Sequence, residues 1–200
     1  MTGLGRMMAG GQLRDKVTPR DDHDFYPTPA ECTLGLLHAE EQNIPTDVWE
    51  PCCGDGAIAR ILIRHGRQVT ATDLIDRGYG TGGKDFLLAA NRAAPAIITN
   101  PPFKLAAAII HKALLLDVRY MALLLKSSFW HAAARAELFD AWQPARIHAM
   151  TWRPDFFSLG RPTMECMWCV WDRAAAPGTQ YLLMNHPRVI HGLPLLRGTA

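Results

Sequence analysis

Short apolar runs recur along the chain, separated by stretches with helical spacing or by turns. Val48-Trp49, Val69-Thr70-Ala71-Thr72, Ala96-Ile97-Ile98-Thr99 and Tyr120 to Leu125 are too short for ordinary helices. They predict strands, with Ala96 to Thr99 and Tyr120 to Leu125 reading as buried ones. Between the first two runs, Ile58, Ile61 and Leu62 share one helical face after the turn Gly54-Asp55-Gly56, and Gly66 ends that helix. Ala106 to Leu116 and Trp130 to Trp142 predict two further helices, the second stopped by Pro144. Upstream, Thr28-Pro29-Ala30-Glu31 carries the signature of a helix start, with Thr28 as N-cap, Pro29 at the first helical position and Glu31 completing a capping box. That helix should reach about Gln42 and stop before Pro45. A glycine-rich loop, Gly78 to Gly83, leads to Asp85-Phe86 and a short helix. Arg146 to Met150 and Met167 to Trp171 predict the last two strands. Strands alternating with helices imply an α/β fold: a mostly parallel central sheet, helices on both faces and an antiparallel hairpin at one edge.

The length, 200 residues, suits one domain. Residues 1–22, rich in Gly and charge, read as a flexible basic arm; residues 23–175 carry the domain; residues 176–200 read as a basic tail. The net charge of +2 does not mark a nucleic-acid binder by itself, but its distribution adds something. Arg6, Arg14, Lys16 and Arg20 meet only Asp15 near the start, and beyond Asp172 the chain has Arg173, Arg188 and Arg197 with no acid. Basic ends of this kind suit phosphate contacts. The hydrophobic fraction is 48% and the charged fraction 20%, as in soluble proteins. Apolar runs are interrupted by Lys, His or Arg before they reach membrane length, and Met1 to Gly11 lacks the apolar centre of a secretory signal, so a cytoplasmic location without membrane contact is expected. Five cysteines do not make a disulfide framework in a chain this long. Cys166 and Cys169 have the spacing of half a zinc site, yet residues three apart on a strand face opposite ways, and no metal is expected.

Two stretches carry chemistry. Gly54-x-Gly56-x-x-Ala59 follows a strand, and Asp73 ends the next strand about twenty positions on, which is the pattern of a nucleotide-type cofactor turn. Alone it serves a dinucleotide or S-adenosylmethionine equally. Glu50, at the strand end before the turn, would repel a pyrophosphate but suits a cationic methionine moiety, which favours S-adenosylmethionine over NAD. The second stretch is Asn100-Pro101-Pro102-Phe103, which closes a buried strand. Its prolines stiffen the corner. The Asn100 side-chain oxygen and the Pro101 carbonyl can accept from one exocyclic amine, and Phe103 can stack on the ring that bears it.

In order, Trp49-Glu50-Pro51-Cys52-Cys53-Gly54-Asp55-Gly56, Thr72-Asp73, Asp85-Phe86 and Asn100-Pro101-Pro102-Phe103 resemble the S-adenosylmethionine-dependent amino-methyltransferases, especially compact phage-type adenine-N6 DNA methyltransferases. Asp24-Phe25-Tyr26-Pro27-Thr28-Pro29 is similar to that family's cofactor-covering motif, and the resemblance spans about residues 24–172. It implies a Rossmann-like methyltransferase fold over residues 23–175, S-adenosylmethionine as cofactor and DNA as partner, with RNA as runner-up. By the same resemblance Tyr26, Thr28 and Pro29 line the methionine end of the cofactor, and Glu50, Cys52, Gly54 and Gly56 floor its amino-acid moiety. Asp73 accepts from the ribose, Asp85 holds the adenine amine, and Phe86 lies against its ring. Asn100, Pro101, Pro102 and Phe103 form the catalytic corner. Lys104, Arg153 and Phe156 are substrate-contact candidates. An RNA base amine, a protein glutamine amide or, in another class, an NAD-dependent oxidation remain alternatives.

Overall fold

Along the central strands, successive side chains enter two different cores, as the period of a strand requires. Tyr120, Ala122 and Leu124 point into one core with Trp168 and Val170, while Met121, Leu123 and Leu125 point into the other with Cys169 and Trp171. This two-sided burial explains why these segments read as continuous apolar runs. A computed structural model of the chain describes residues 25–160 and 162–189. Its strands are β1 (Asp47–Glu50), β2 (Gln68–Ala71), β3 (Ala96–Thr99), β4 (Tyr120–Lys126), β5 (Arg146–Met150), β6 (Cys166–Asp172) and β7 (Gln180–Met184). They form one sheet in the order β2-β1-β3-β4-β6-β5-β7. Every pairing is parallel except those of β6, which runs antiparallel to both β4 and β5.

Helices α1 (Ala30–Glu40) and α2 (Ala57–Arg64) cover the first core with Leu36, Leu37, Ile58 and Leu62; α3 (Ala106–Leu115) covers the second with Ile109 and Ile110. The strand order reverses at β1 and β3, whose chains leave toward opposite edges. In open α/β sheets a crevice forms outside the strand ends at such a point. Glu50 ends β1 and Asn100 follows β3, so the two chemistry-bearing stretches meet there.

Four expectations are corrected. α1 ends at Glu40, within two residues of the expected stop, but its start carries no side-chain cap. The Thr28 hydroxyl accepts instead from the Asn100 amide at 3.1 Å, because the loop before α1 lies against the end of β3. The expected helix from Trp130 to Trp142 is broken into 3-10 turns at Ser127–Trp130 and Ala133–Arg135 and a short α4 (Ala136–Ala141). There Phe129, Trp130 and Phe139 pack on one another, and Arg135 lies over the Phe129 ring and donates to its carbonyl. The antiparallel strand is not at an edge: β6 lies between β4 and β5. The edge on that side is β7, parallel to β5 and inside the 176–200 stretch that reads as a tail. The arm, residues 1–22, lies outside the described residues, as do Asp24 and most of the basic end positions.

Away from the crevice, Glu40 at the end of α1 is fully enclosed by polar partners. Its Oε1 accepts from Arg146 Nε at 2.7 Å and from His148 Nε2 at 2.6 Å, and its Oε2 accepts from Arg146 Nη2 at 2.9 Å and Asn43 Nδ2 at 3.1 Å. Arg146 also donates to Asp172 at 2.8 Å, which joins α1 to β5 and β6. Among the described residues no helix is long and apolar enough to cross a membrane.

Candidate active site

The turn after β1 needs its glycines. Gly54 and Gly56 have φ of +54° and +83°, the left-handed region that favours glycine. A Cβ at Gly54 would collide with the Phe25 ring, and one at Gly56 with the Tyr79 ring. Arg77 stands 4.1 Å over Phe25, and Arg60 stands 4.3 Å over Tyr79. Two aromatic rings, each backed by a guanidinium, therefore roof the loop. The Gly54 amide donates to Asp73 Oδ2 at 2.8 Å, and the Ile75 amide donates to Asp73 Oδ1 at 2.9 Å. Asp73 thereby ties the end of β2 to the turn after β1.

Beside this turn opens a cleft of about 360 Å³. Tyr26, Thr28, Glu50, Cys52, Asp73, Asp85, Phe86, Asn100, Pro102 and Lys104 line it, as do Phe25, Leu74, Ile75, Arg77, Lys84 and Leu87. Gly54, Gly56 and Pro29 do not line it: the two glycines belong to the turn after β1, and Pro29 immediately precedes α1. Pro101 is buried, and half-buried Phe103 does not line the cleft but carries the Lys126 ammonium 4.5 Å from its ring centre.

Two candidates fall elsewhere. Phe156 is 6% exposed and meets Tyr26 edge-on at 6.4 Å, so it supports that ring from the core rather than facing a substrate. Arg153 is exposed and paired with Glu165 at 2.6 Å, in a separate depression with Ser127 and Trp152.

Three features define the electrostatics of the cleft. Burial pushes the Glu50 carboxyl well above the ordinary range, Asp55 and Asp73 push it further, and its Oε2 has no donor among the described residues. Burial also raises the adjacent thiols, Cys53 to about 12 and Cys52 higher still, so both stay protonated and neither serves as a nucleophile. The Asn100 Nδ2 donates to Thr28 Oγ1 at 3.1 Å and to the Tyr26 carbonyl at 3.4 Å. A carbonyl only accepts, which fixes the amide orientation and directs Oδ1 away as an acceptor. Asp85 caps its 3-10 turn by accepting from the Leu87 amide at 2.8 Å while lining the cleft, and Phe86 packs against Trp49 with ring centres 5.0 Å apart.

No protein-family model and no curated protein matches the chain. Solved structures do. One is a candidate class I S-adenosylmethionine-dependent methyltransferase from Listeria monocytogenes, with a TM-score of 0.59 and 13% identity over 86% of this chain and 68% of that one. Another, a candidate RNA methyltransferase from Pyrococcus horikoshii, has a TM-score of 0.58 and 12% identity over 80% and 92% of the two chains. The modification subunit of a candidate type I restriction enzyme from Vibrio vulnificus gives 0.52 and 13%, over 80% of this chain and 47% of that one.

The fold is that of the class I methyltransferases.

The cleft of this methyltransferase fold also fits their cofactor chemically. S-adenosylmethionine brings an ammonium and a sulfonium, and a buried carboxylate oxygen without a donor is the group such a cation would satisfy. Phe25, Arg77, Tyr79 and Arg60 are what residue patterns miss. They reach the glycine turn only through the fold, and Phe25-Tyr26 beside Thr28-Pro29 is the single local signal that pointed at any of them.

Proposed function

We propose that this chain transfers a methyl group from S-adenosylmethionine to the exocyclic N6 amine of adenine in DNA. The observation that carries this reading is the Asn100 side chain, whose NH₂ is tied back to Thr28 and Tyr26 so that its oxygen is presented as an acceptor beside the cleft. Bound cofactor supplies an electrophilic methyl on sulfur. Glu50 suits its ammonium, Asp73 its ribose hydroxyls, Asp85 its adenine amine and Phe86 its ring, and Tyr26 and Thr28 suit the methionine end.

An aromatic amine is a poor nucleophile because its lone pair is shared with the ring. Acceptors at the Asn100 side chain and the Pro101 carbonyl draw both N–H groups toward the corner and localise that pair. They also stabilise the positive charge that develops on nitrogen as it attacks, the inverse of an oxyanion hole. Their rigidity aligns the amine for in-line attack. A tuned general base is not required, in keeping with the protonated Cys52 and Cys53 thiols nearby. A base in a duplex must be flipped out to reach the corner, which costs a few kcal/mol. Stacking on Phe103 can return about 1–3 kcal/mol of that. Lys104, exposed at the mouth of the cleft, suits a phosphate.

The test is incubation with radiolabelled cofactor and DNA, RNA or protein extract, followed by digestion to nucleosides or amino acids. Label in N6-methyldeoxyadenosine supports the proposal; label only in RNA nucleosides or glutamine moves the substrate, and label nowhere rejects it. Asn100→Ala should abolish transfer. Thr28→Val, which removes one anchor of the Asn100 amide, should lower kcat about tenfold with cofactor affinity nearly unchanged.

A further inference from the structure

We propose that Lys126 is a positioning residue that sets Phe103 as the stacking surface for the target ring, an inference that rests on the function proposed above. β3 and β4 run parallel with Thr99 opposite Leu123, so the end of β4 lies beside the corner that begins at Asn100. Lys126 is the last residue of β4 and is held opposite Cys166 of β6; the following amide, of Ser127, donates to the Glu165 carbonyl at 2.9 Å. From that anchored backbone the ammonium reaches 4.5 Å from the centre of the Phe103 ring. A cation this close is attracted to the ring face. Phe103 is half-buried and stands outside the cofactor cleft, although Pro102 and Lys104 on either side of it line that cleft. The ammonium lies over one face of the ring, and the opposite face is the one we assign to the planar target ring.

Two consequences follow from a cation on one face. The ring is held in its orientation before the ligand arrives, so less ordering accompanies binding. The cation also draws the π cloud toward itself, so the opposite face pairs best with a neutral, electron-rich ring and repels a cationic one. The ligand class this selects is a neutral aromatic amine such as unprotonated adenine.

Steady-state kinetics on DNA with wild type, Lys126→Met, Lys126→Arg, Phe103→Ala and the Lys126→Met/Phe103→Ala double variant test this. Methionine keeps the length of the side chain and removes its charge; Lys126→Gln is the second uncharged variant should the Met protein not fold. Lys126→Met should raise KM for DNA about 3- to 10-fold. Cofactor affinity should stay unchanged, and Lys126→Arg should restore KM. In the Phe103→Ala background, removing the charge should add nothing, because Lys126 acts through that ring. Unchanged KM in both uncharged variants overturns the inference. So does an additive effect accompanied by a drop of about one in the salt slope, which would make Lys126 a phosphate contact instead. If the wild type methylates no nucleic acid, the proposed function fails and this inference falls with it; if it does and the Lys126 series is flat, only this inference fails.

Discussion

Burying a carboxylate oxygen that no donor reaches is unfavourable, and Glu50 is 1% exposed with Oε2 in that condition. Burial raises its pKa well above the ordinary value, with Asp55 and Asp73 adding to the rise. The sign of the effect on stability follows. Below the unfolded-state pKa both states hold the proton and there is no penalty. As pH rises through that value the unfolded chain ionises while the folded one resists, so Glu50 destabilises the fold increasingly up to its own raised pKa. Glu50→Gln should therefore raise the thermal midpoint of the cofactor-free protein at neutral pH, have little effect near pH 4, and weaken S-adenosylmethionine about tenfold or more. Thermal scans across pH with calorimetric titration check this; a Gln variant that loses stability at neutral pH, or binds as tightly as wild type, contradicts it. Glu50, Asp73, Asp85 and Asn100 are legible in the sequence because strand ends and glycine turns put them at one crevice. The role of Thr28 is not. Its local pattern is that of an N-cap, and only a partner 72 positions away in the chain diverts its hydroxyl.

At the scale of elements, the cluster around Glu40 does for α1 what capping patterns cannot. Burial alone would raise that carboxyl, but hydrogen bonds from His148 and Arg146 outweigh it and lower the pKa. A lowered carboxylate contributes stability that is present above the unfolded-state value and is lost as pH falls through the folded one. Glu40→Gln removes the buried carboxylate that accepts from Arg146 and His148, leaving Arg146 only its Asp172 pair among the described residues, and should destabilise the fold by roughly 3 kcal/mol at neutral pH. The loss should shrink as pH falls below about 4. Urea titrations at several pH values measure it; an equal loss at every pH would mean the cluster acts through shape alone. β1 to β6 are all legible as strands, within a residue of their ends. β7 is not, because its residues from Gln180 to Leu183 are all exposed and show neither the alternation of a half-buried strand nor the continuous burial of a central one. The expected helix before Pro144 fails for a related reason: its Ala-rich stretch favours helix, and the packing of Phe129, Trp130 and Phe139 overrides that preference.

For the whole molecule, the sheet and the crevice at its reversal point account for most of the described chain. Sequence readout in a duplex needs side chains delivered to base edges, usually from a helix or a ribbon placed in a groove. The helices α1, α2 and α3 are occupied in covering the two cores, and α4 spans only Ala136–Ala141. Arg153, in the loop between β5 and β6, is already paired with Glu165, and its neighbour Phe156 is buried. The described residues can therefore supply phosphate contacts and contact with bases next to the target, but no extended reading surface. Phosphate contacts release counterions, so affinity for DNA should fall steeply as salt rises, whatever the sequence. Methylation should accordingly be loosely selective, with preference confined to one or two positions flanking the target. Sequencing of DNA modified by the protein, at low and at near-physiological salt, measures both properties together. Modification restricted to a single site of four or more specified bases would show that a reader is supplied from outside the described fold.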